Sequence, residues 1–201
     1  MKSASSLPPI ILASTSPRRA ELLQQLTTEF KVVPSDAAEL LDPQLTAREI
    51  SQINAYRKAR SVAKQFADAL VLGADTLVYL DQQLLGKPRD LAEARQMLSK
   101  LQGRTHEVVT GICLIHLRAH RQTVFAESTD VTFRNLSAAE IERYLSLVDP
   151  LDKAGAYAIQ EQGESVIVNV IGSYSNVIGL PLERLKVELE KWEKWFPCQT
   201  R

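Results

Sequence analysis

The run Leu70-Val71-Leu72-Gly73-Ala74-Asp75-Thr76-Leu77-Val78 constrains the fold most tightly. The stretch Ala69 to Leu80 is rich in apolar strand formers and reads as a buried strand, interrupted by Gly73 and Asp75. A carboxylate inside such a strand is unfavourable unless a metal, a lysine or a catalytic water meets it. Asp75 is therefore either a functional group held within the strand, or part of a loop where the chain bulges at Gly73. Strong strand formers on both sides favour the first. If its charge had no partner, the neutral amide of an Asp75→Asn variant would keep the fold and melt higher.

Around this strand the chain alternates short apolar runs with capped helical stretches. Ile10 to Ala13 reads as a buried strand that runs into Ser14-Thr15-Ser16-Pro17, a helix start. Thr46 and Glu49 make a capping box for a second helix, with Ile50, Ile53, Ala59, Val62, Ala63 and Phe66 at helical spacing. A turn through Gly86 and Pro88 precedes a helix from Asp90 to Leu101. Glu107 to Arg118 and Thr123 to Phe133 read as an antiparallel pair, and Ser137 with Glu140 caps a helix through Val148. Tyr157 to Gln160 and Ser165 to Ile171 read as further strands, and a helix from about Pro181 to Trp195 closes the chain. Mixing without strict βαβ alternation predicts an α/β protein with a mixed sheet. No repeat and no long linker divides the 201 residues, so a single domain over 1–201 is expected.

Composition narrows the function classes. The 24 basic and 24 acidic side chains cancel, so bulk charge gives no pull toward nucleic acid, and phosphate recognition must come from local clusters. Cys113 and Cys198 make neither a disulfide framework nor a zinc spacing, which fits a reducing, cytoplasmic setting. His106, His116 and His120 lack the spacing of structural metal ligands. The start is too short and polar for a signal peptide, and no apolar run is long enough for a membrane span.

Three further clusters carry candidate chemistry. Ser14-Thr15-Ser16-Pro17-Arg18-Arg19 puts hydroxyls, free backbone N–H groups and two guanidiniums at one helix N-terminus. Such an end attracts phosphate and disfavours cations unless an anion joins them. On that ground, removing Arg19 should hold or slightly raise stability. The other reading is a serine cap with two solvated arginines. Lys87 in Leu85-Gly86-Lys87-Pro88 and Lys58 in Tyr56-Arg57-Lys58-Ala59-Arg60 are ambiguous alone. In Asp152-Lys153-Ala154-Gly155-Ala156-Tyr157-Ala158-Ile159-Gln160, Gly155 suggests close backbone approach, and Gln160 offers a donor and an acceptor together, as base reading requires. A surface turn entering a strand is the alternative. P-loop, dinucleotide-fold and nucleophile-elbow motifs are absent from the sequence.

Taken in order, these segments resemble the Maf family of nucleotide pyrophosphatases. The likeness rests on Leu12-Ala13-Ser14-Thr15-Ser16-Pro17-Arg18-Arg19, Gly73-Ala74-Asp75-Thr76, Gly86-Lys87-Pro88, His106-Glu107-Val108-Val109-Thr110-Gly111, the Asp152 to Tyr157 segment and Gly179-Leu180-Pro181-Leu182. The resemblance implies a two-lobed α/β fold related to the inosine triphosphate pyrophosphatases, with a central cleft between the lobes. It implies Asp75 as the catalytic carboxylate, Ser14, Ser16, Arg18, Arg19, Lys58 and Lys87 around the triphosphate, and Arg18, Thr76 and Gln160 setting base preference. Glu39, with Asp75, would hold a divalent cation, Mg²⁺ or Mn²⁺. A homodimer fits the family.

The Asp-Lys-Ala-Gly-Ala-Tyr…Ile-Gln form resembles the branch acting on dTTP and UTP rather than the one associated with 7-methyl-GTP. Two departures stand out: Ala37-Ala38-Glu39 leaves Glu39 alone where the family is richer in acid, and Glu161 follows Gln160 where the family often has Gly. The implied chemistry is attack of water on the α-phosphorus, with basic groups and the cation neutralising charge as pyrophosphate leaves. The rivals are a pyrophosphatase for a purine or modified nucleotide and a nucleotide-binding regulator of division without turnover. The presence of every expected charged residue argues against the last.

Overall fold

The computed structural model describes residues 7–81 and 83–196. Cys198 lies outside them. The elements in chain order are β1 (Ile10–Ala13), α1 (Pro17–Gln24), β2 (Phe30–Val32), α2 (Ala47–Ala63), β3 (Leu70–Leu80), β4 (Gln83–Leu85), α3 (Leu91–Leu101), β5 (Thr105–His116) and β6 (Arg121–Phe133), then α4 (Ala138–Leu145), α5 (Gly163–Val166), β7 (Ile167–Ile171), α6 (Tyr174–Ile178) and α7 (Leu182–Trp195). Among these residues no helix is long and apolar enough to cross a membrane.

One seven-stranded mixed sheet runs in the order β2-β1-β3-β5-β6-β7, with β4 paired to the far end of β3. β1 is parallel to both β2 and β3; the other pairings are antiparallel. The mixed α/β architecture expected from the sequence is thus the one observed.

β3 has two different neighbours on one edge. β1 covers Leu70 to Gly73, and β4 covers Val78 to Leu80. Between them, residues 74–77 have no strand partner on that side among the described residues. Apolar packing follows the same division. On one half of the sheet, Leu22 and Leu23 of α1 and Leu185 and Trp192 of α7 pack on one face, and Ala55, Ala59 and Val62 of α2 on the other. On the other half, Val78, Leu80 and Phe133 are covered by Leu98 and Leu101 of α3 and Ile141 and Tyr144 of α4. A cleft opens where the two packed halves meet.

Gly73 does not interrupt β3. The ladder to β5 is regular, with Gly73 opposite Cys113, Asp75 opposite Gly111 and Thr76 opposite Thr110. The glycine serves the helix instead. A Cβ on Gly73 would run into the Ala55 carbonyl oxygen, and one on Gly111 into the Ser51 carbonyl. The two glycines and the small residues Ser51, Ala55 and Ala59 bring α2 down onto the sheet. Its start is fixed by the predicted capping box, in which Thr46 Oγ1 accepts from Glu49 N at 3.2 Å while Glu49 returns a bond to Thr46 N.

Other boundaries move. Tyr157 to Gln160 is not a strand: Ala154–Ala156 forms a 3₁₀ turn and further turns follow. Positive φ at Gly155, Ala156 and Gln162 breaks any extended run there. The stretch from Ser165 begins as the last two residues of α5, and β7 starts only at Ile167. The sequence pattern does not predict β2, β4, α5 or α6, and each is five residues or shorter.

Candidate active site

The cleft has a volume of about 340 Å³ and lies against the uncovered stretch of β3. Because that edge is open, side chains from opposite faces of the strand, Asp75 and Thr76, both reach it. Ser16, Arg18, Arg19, Glu39, Lys58, Lys87 and Gln160 line it as well. Ser14 does not. It is buried, and its Oγ accepts from Ser16 N at 3.1 Å and lies 3.5 Å from Arg19 Nη1.

Asp75 is 4 % exposed at the floor. Its Oδ1 accepts from Lys58 Nζ at 2.6 Å and its Oδ2 from Asn54 Nδ2 at 3.1 Å. Lys58 Nζ also donates to Glu39 Oε1 at 2.7 Å, so the ammonium lies between two carboxylates. Burial pushes Glu39 upward, but the Lys58 hydrogen bond and the charges of Lys58, Lys87 and Arg19 outweigh it and hold Glu39 below the usual carboxylate range. Asp75 is therefore a paired charge. The gain in stability expected from neutralising a lone carboxylate does not follow.

Asn54 escaped notice in the sequence. It is buried on α2, one turn before Lys58, and clasps the segment that carries Glu39: Leu40 N donates to Asn54 Oδ1 at 2.7 Å and Asn54 Nδ2 lies 3.1 Å from Leu40 O. A polar residue four positions before Lys58 in the buried stripe was the available signal.

At the other end of the cleft, α1 presents an N-terminus without a side-chain cap and with Pro17 at its start. Its first-turn N–H groups are unclaimed by a cap and free to meet an anion. Arg19 Nε donates to Gly179 O at 2.9 Å and Nη2 to Thr76 Oγ1 at 2.9 Å. Removing Arg19 would leave that carbonyl and hydroxyl without this donor, so the expectation that stability would hold is overturned. Burial lowers the pKa of Arg19; Asp75 opposes that and Arg18 adds to it. Thr110 Oγ1 gives its one proton to Asn176 O at 3.0 Å, so Thr76 donates to Thr110 across their 3.0 Å contact. The Thr76 hydroxyl is thus oriented from both sides.

The facing wall is the segment from Asp149 to Gln162. Arg18 Nη1 donates to Asp152 Oδ2 at 2.9 Å. Burial raises the pKa of Asp152, but the Lys153 and Arg18 contacts prevail and bring it below the ordinary carboxylate value. Gln160 is exposed at the rim, and its side chain has no hydrogen bond within the described residues. Below, Tyr157 Oη sits 2.7 Å from His106 Nε2, both buried against Phe133. Burial pushes the His106 imidazole down to about 4.

Taken together, the cleft offers donors and positive charge at the start of α1 and a paired carboxylate on β3, the complement of a polyanion with space for a reacting water. A family model described as Maf-like protein matches residues 9–192, and the chain belongs to the Maf family. It is 46 % identical over 176 residues to a protein of Akkermansia muciniphila (88 % of this chain, 92 % of the other), and 45 % over 181 residues to one of Alkaliphilus oremlandii (90 % and 94 %). A Bacillus cytotoxicus protein is 43 % identical over 183 residues (91 % and 95 %). All three bear the name dTTP/UTP pyrophosphatase. Among solved structures, a HAM1 protein from Coxiella burnetii aligns at 16 % identity with a TM-score of 0.49, covering 90 % of this chain and 98 % of that one.

Proposed function

We propose that this chain is a nucleoside triphosphate pyrophosphatase that hydrolyses dTTP and UTP to the monophosphate and pyrophosphate. The observation that carries it is the Glu39–Lys58–Asp75 cluster in one cleft with the uncapped start of α1. Ser16, Arg19, Lys58, Lys87 and the free N–H groups of α1 hold the triphosphate, neutralising charge as it shifts toward the leaving pyrophosphate. Asp75 orients the attacking water and accepts its proton. Oxygen bonds to the α-phosphorus as the bridge to the β-phosphoryl group breaks. Gln160 matches the paired acceptor and donor on the edge of uracil or thymine, beside Arg18 and Thr76.

Two carboxylate oxygens within 2.7 Å of a single cationic nitrogen make a donor pair that also fits a divalent cation. Glu39 and Asp75 would leave the remaining positions of an Mg²⁺ or Mn²⁺ ion to phosphate oxygens and water. Held by Glu39 and Asp75, the cation would neutralise the triphosphate and lower the pKa of a bound water. The same reading places the enzyme in the cytoplasm with the free nucleotides.

A panel of nucleoside triphosphates, with and without Mg²⁺, tests it by product analysis. dTTP and UTP should turn over fastest, giving monophosphate and pyrophosphate only with the cation present. Orthophosphate and a diphosphate would eliminate attack at the α-phosphorus, and preference for 7-methyl-GTP would eliminate the pyrimidine assignment.

A further inference from the structure

The wall that carries Gln160 has turns where β3 and α2 have regular backbone, so side chains must hold it. Lys153 is its centre. The side chain is 5 % exposed, and its Nζ reaches Asp149 O at 2.6 Å, Asp152 Oδ1 at 2.8 Å and Glu161 Oε1 at 3.3 Å. An ammonium has three protons, and here three oxygens surround it. A buried lysine is costly to desolvate unless fully met.

These contacts link two parts of the cleft. Asp152 is shared, with Oδ1 on Lys153 and Oδ2 on Arg18 in the first turn of α1. Glu161 directly follows Gln160. The series Arg18–Asp152–Lys153–Glu161 therefore runs from the first turn of α1, whose backbone N–H groups meet the triphosphate while the Arg18 side chain lies beside the base, to the residue next to the free amide at the rim. Asp152 and Glu161 are themselves half-exposed, and ion pairs to such carboxylates add little stability. What the linkage does contribute is a fixed separation between the first turn of α1 and the Gln160 segment.

We propose that Lys153 is a positioning residue for base selection: it fixes the distance from the α1 phosphate-binding end to the Gln160 amide, so that a pyrimidine spans it and a purine does not. The inference rests on the reading of the cleft as a pyrimidine nucleotide site. Without the ammonium, Asp152 and Glu161 repel each other, the rim moves, and Gln160 no longer meets the base at a set span.

Binding titrations with non-hydrolysable dUTP and dATP analogues test this independently of turnover. Lys153→Met should lower the preference for dUTP by about tenfold, the scale of a displaced positioning contact. Glu161→Gln, at a half-exposed side chain, removes one leg of the linkage without emptying a buried site and should give a smaller loss in the same direction. In a Gln160→Ala background, Lys153→Met should add little further loss, because the two act through one contact. A merely structural lysine would weaken both analogues equally and add fully to Gln160→Ala; either result overturns the proposal. Wild-type protein that binds the two analogues equally overturns it too. If the preference behaves as expected but no pyrophosphate is released from any nucleotide, the pyrophosphatase reading fails and this inference stands.

Discussion

The floor of the cleft and the wall facing it are held in place by different means. The floor is regular backbone: β3 in register with β5, and α2 laid on both through Gly73 and Gly111. Its charged side chains are mutually paired, with Asp75 buried and Lys58 partly so. The wall from Asp149 to Gln162 is turns, with positive φ at Gly155, Ala156 and Gln162, tied by Lys153, Tyr144 and Tyr157. Tyr144 Oη accepts from Ala158 N at 3.1 Å, standing in for a strand partner. On the proposed reading, the groups that would break the bond sit where displacement is hardest, whereas the group that would read the base sits on turns that can be re-tuned without disturbing the sheet.

The largest effect should come from breaking the floor. Asp75→Asn should lower turnover by about a hundredfold or more, the usual scale for losing an acid–base group. The variant should also melt lower. Asp75 accepts on both oxygens, from Lys58 and from Asn54. An amide offers only one acceptor, so its NH₂ must face a second donor, at a cost of about 1–3 kcal/mol. Rate assays and thermal melts check both parts. Turnover within a few-fold of wild type would remove Asp75 from the chemistry, and a higher melting temperature would show that its pairing is weak.

A middle-sized effect should come from lifting α2. Gly111→Ala puts a methyl against the Ser51 carbonyl, with backbone rather than a flexible side chain in the way. Overpacking of this kind costs about 1–3 kcal/mol. Asn54 and Lys58, carried on that helix, should move away from Asp75, and turnover should fall with stability. A variant equally stable and active would show that α2 does not need its close approach to the sheet.

Much of the floor was legible in the sequence because its signals are local. A carboxylate within strand formers and a capping box at Thr46 each announce themselves within a few residues, whereas Lys58 was ambiguous alone and drew its role from the family resemblance. The role of Gly73 was not, because it depends on a helix that crosses the strand from elsewhere in the chain. The wall was less legible. Tyr157 to Gln160 has the apolar content of a strand, yet the backbone turns because Gly155 and Ala156 adopt left-handed φ and Tyr144 supplies the hydrogen bond a neighbouring strand would give. Asn54 and Lys153 share another cause: a polar residue in a buried position declares a partner, but sequence does not name it.

The smallest effect on turnover at neutral pH should come from beneath the wall, at His106, where it sharpens the comparison through stability instead. The imidazole is 2 % exposed, in contact with Tyr157 Oη and edge-on to Phe133, and burial brings it down to about 4 from an ordinary 6.5. Between those values the unfolded chain binds a proton that the folded chain refuses. Stability from this group is therefore complete above pH 6.5 and lost as pH falls toward 4. By pH 5.0 the loss is about 2 kcal/mol, at 1.36 kcal/mol per pH unit. His106→Gln keeps a polar group beside Tyr157 but cannot titrate. Urea midpoints at pH 7.5 and 5.0 should show the wild type losing that amount more than the variant, with the upper pH as the reference at which the His106 imidazole is neutral in the folded and the unfolded chain alike. Two proteins that lose stability in parallel would mean that the imidazole is hydrated when protonated, and that the turn-built wall opens far more readily than the floor.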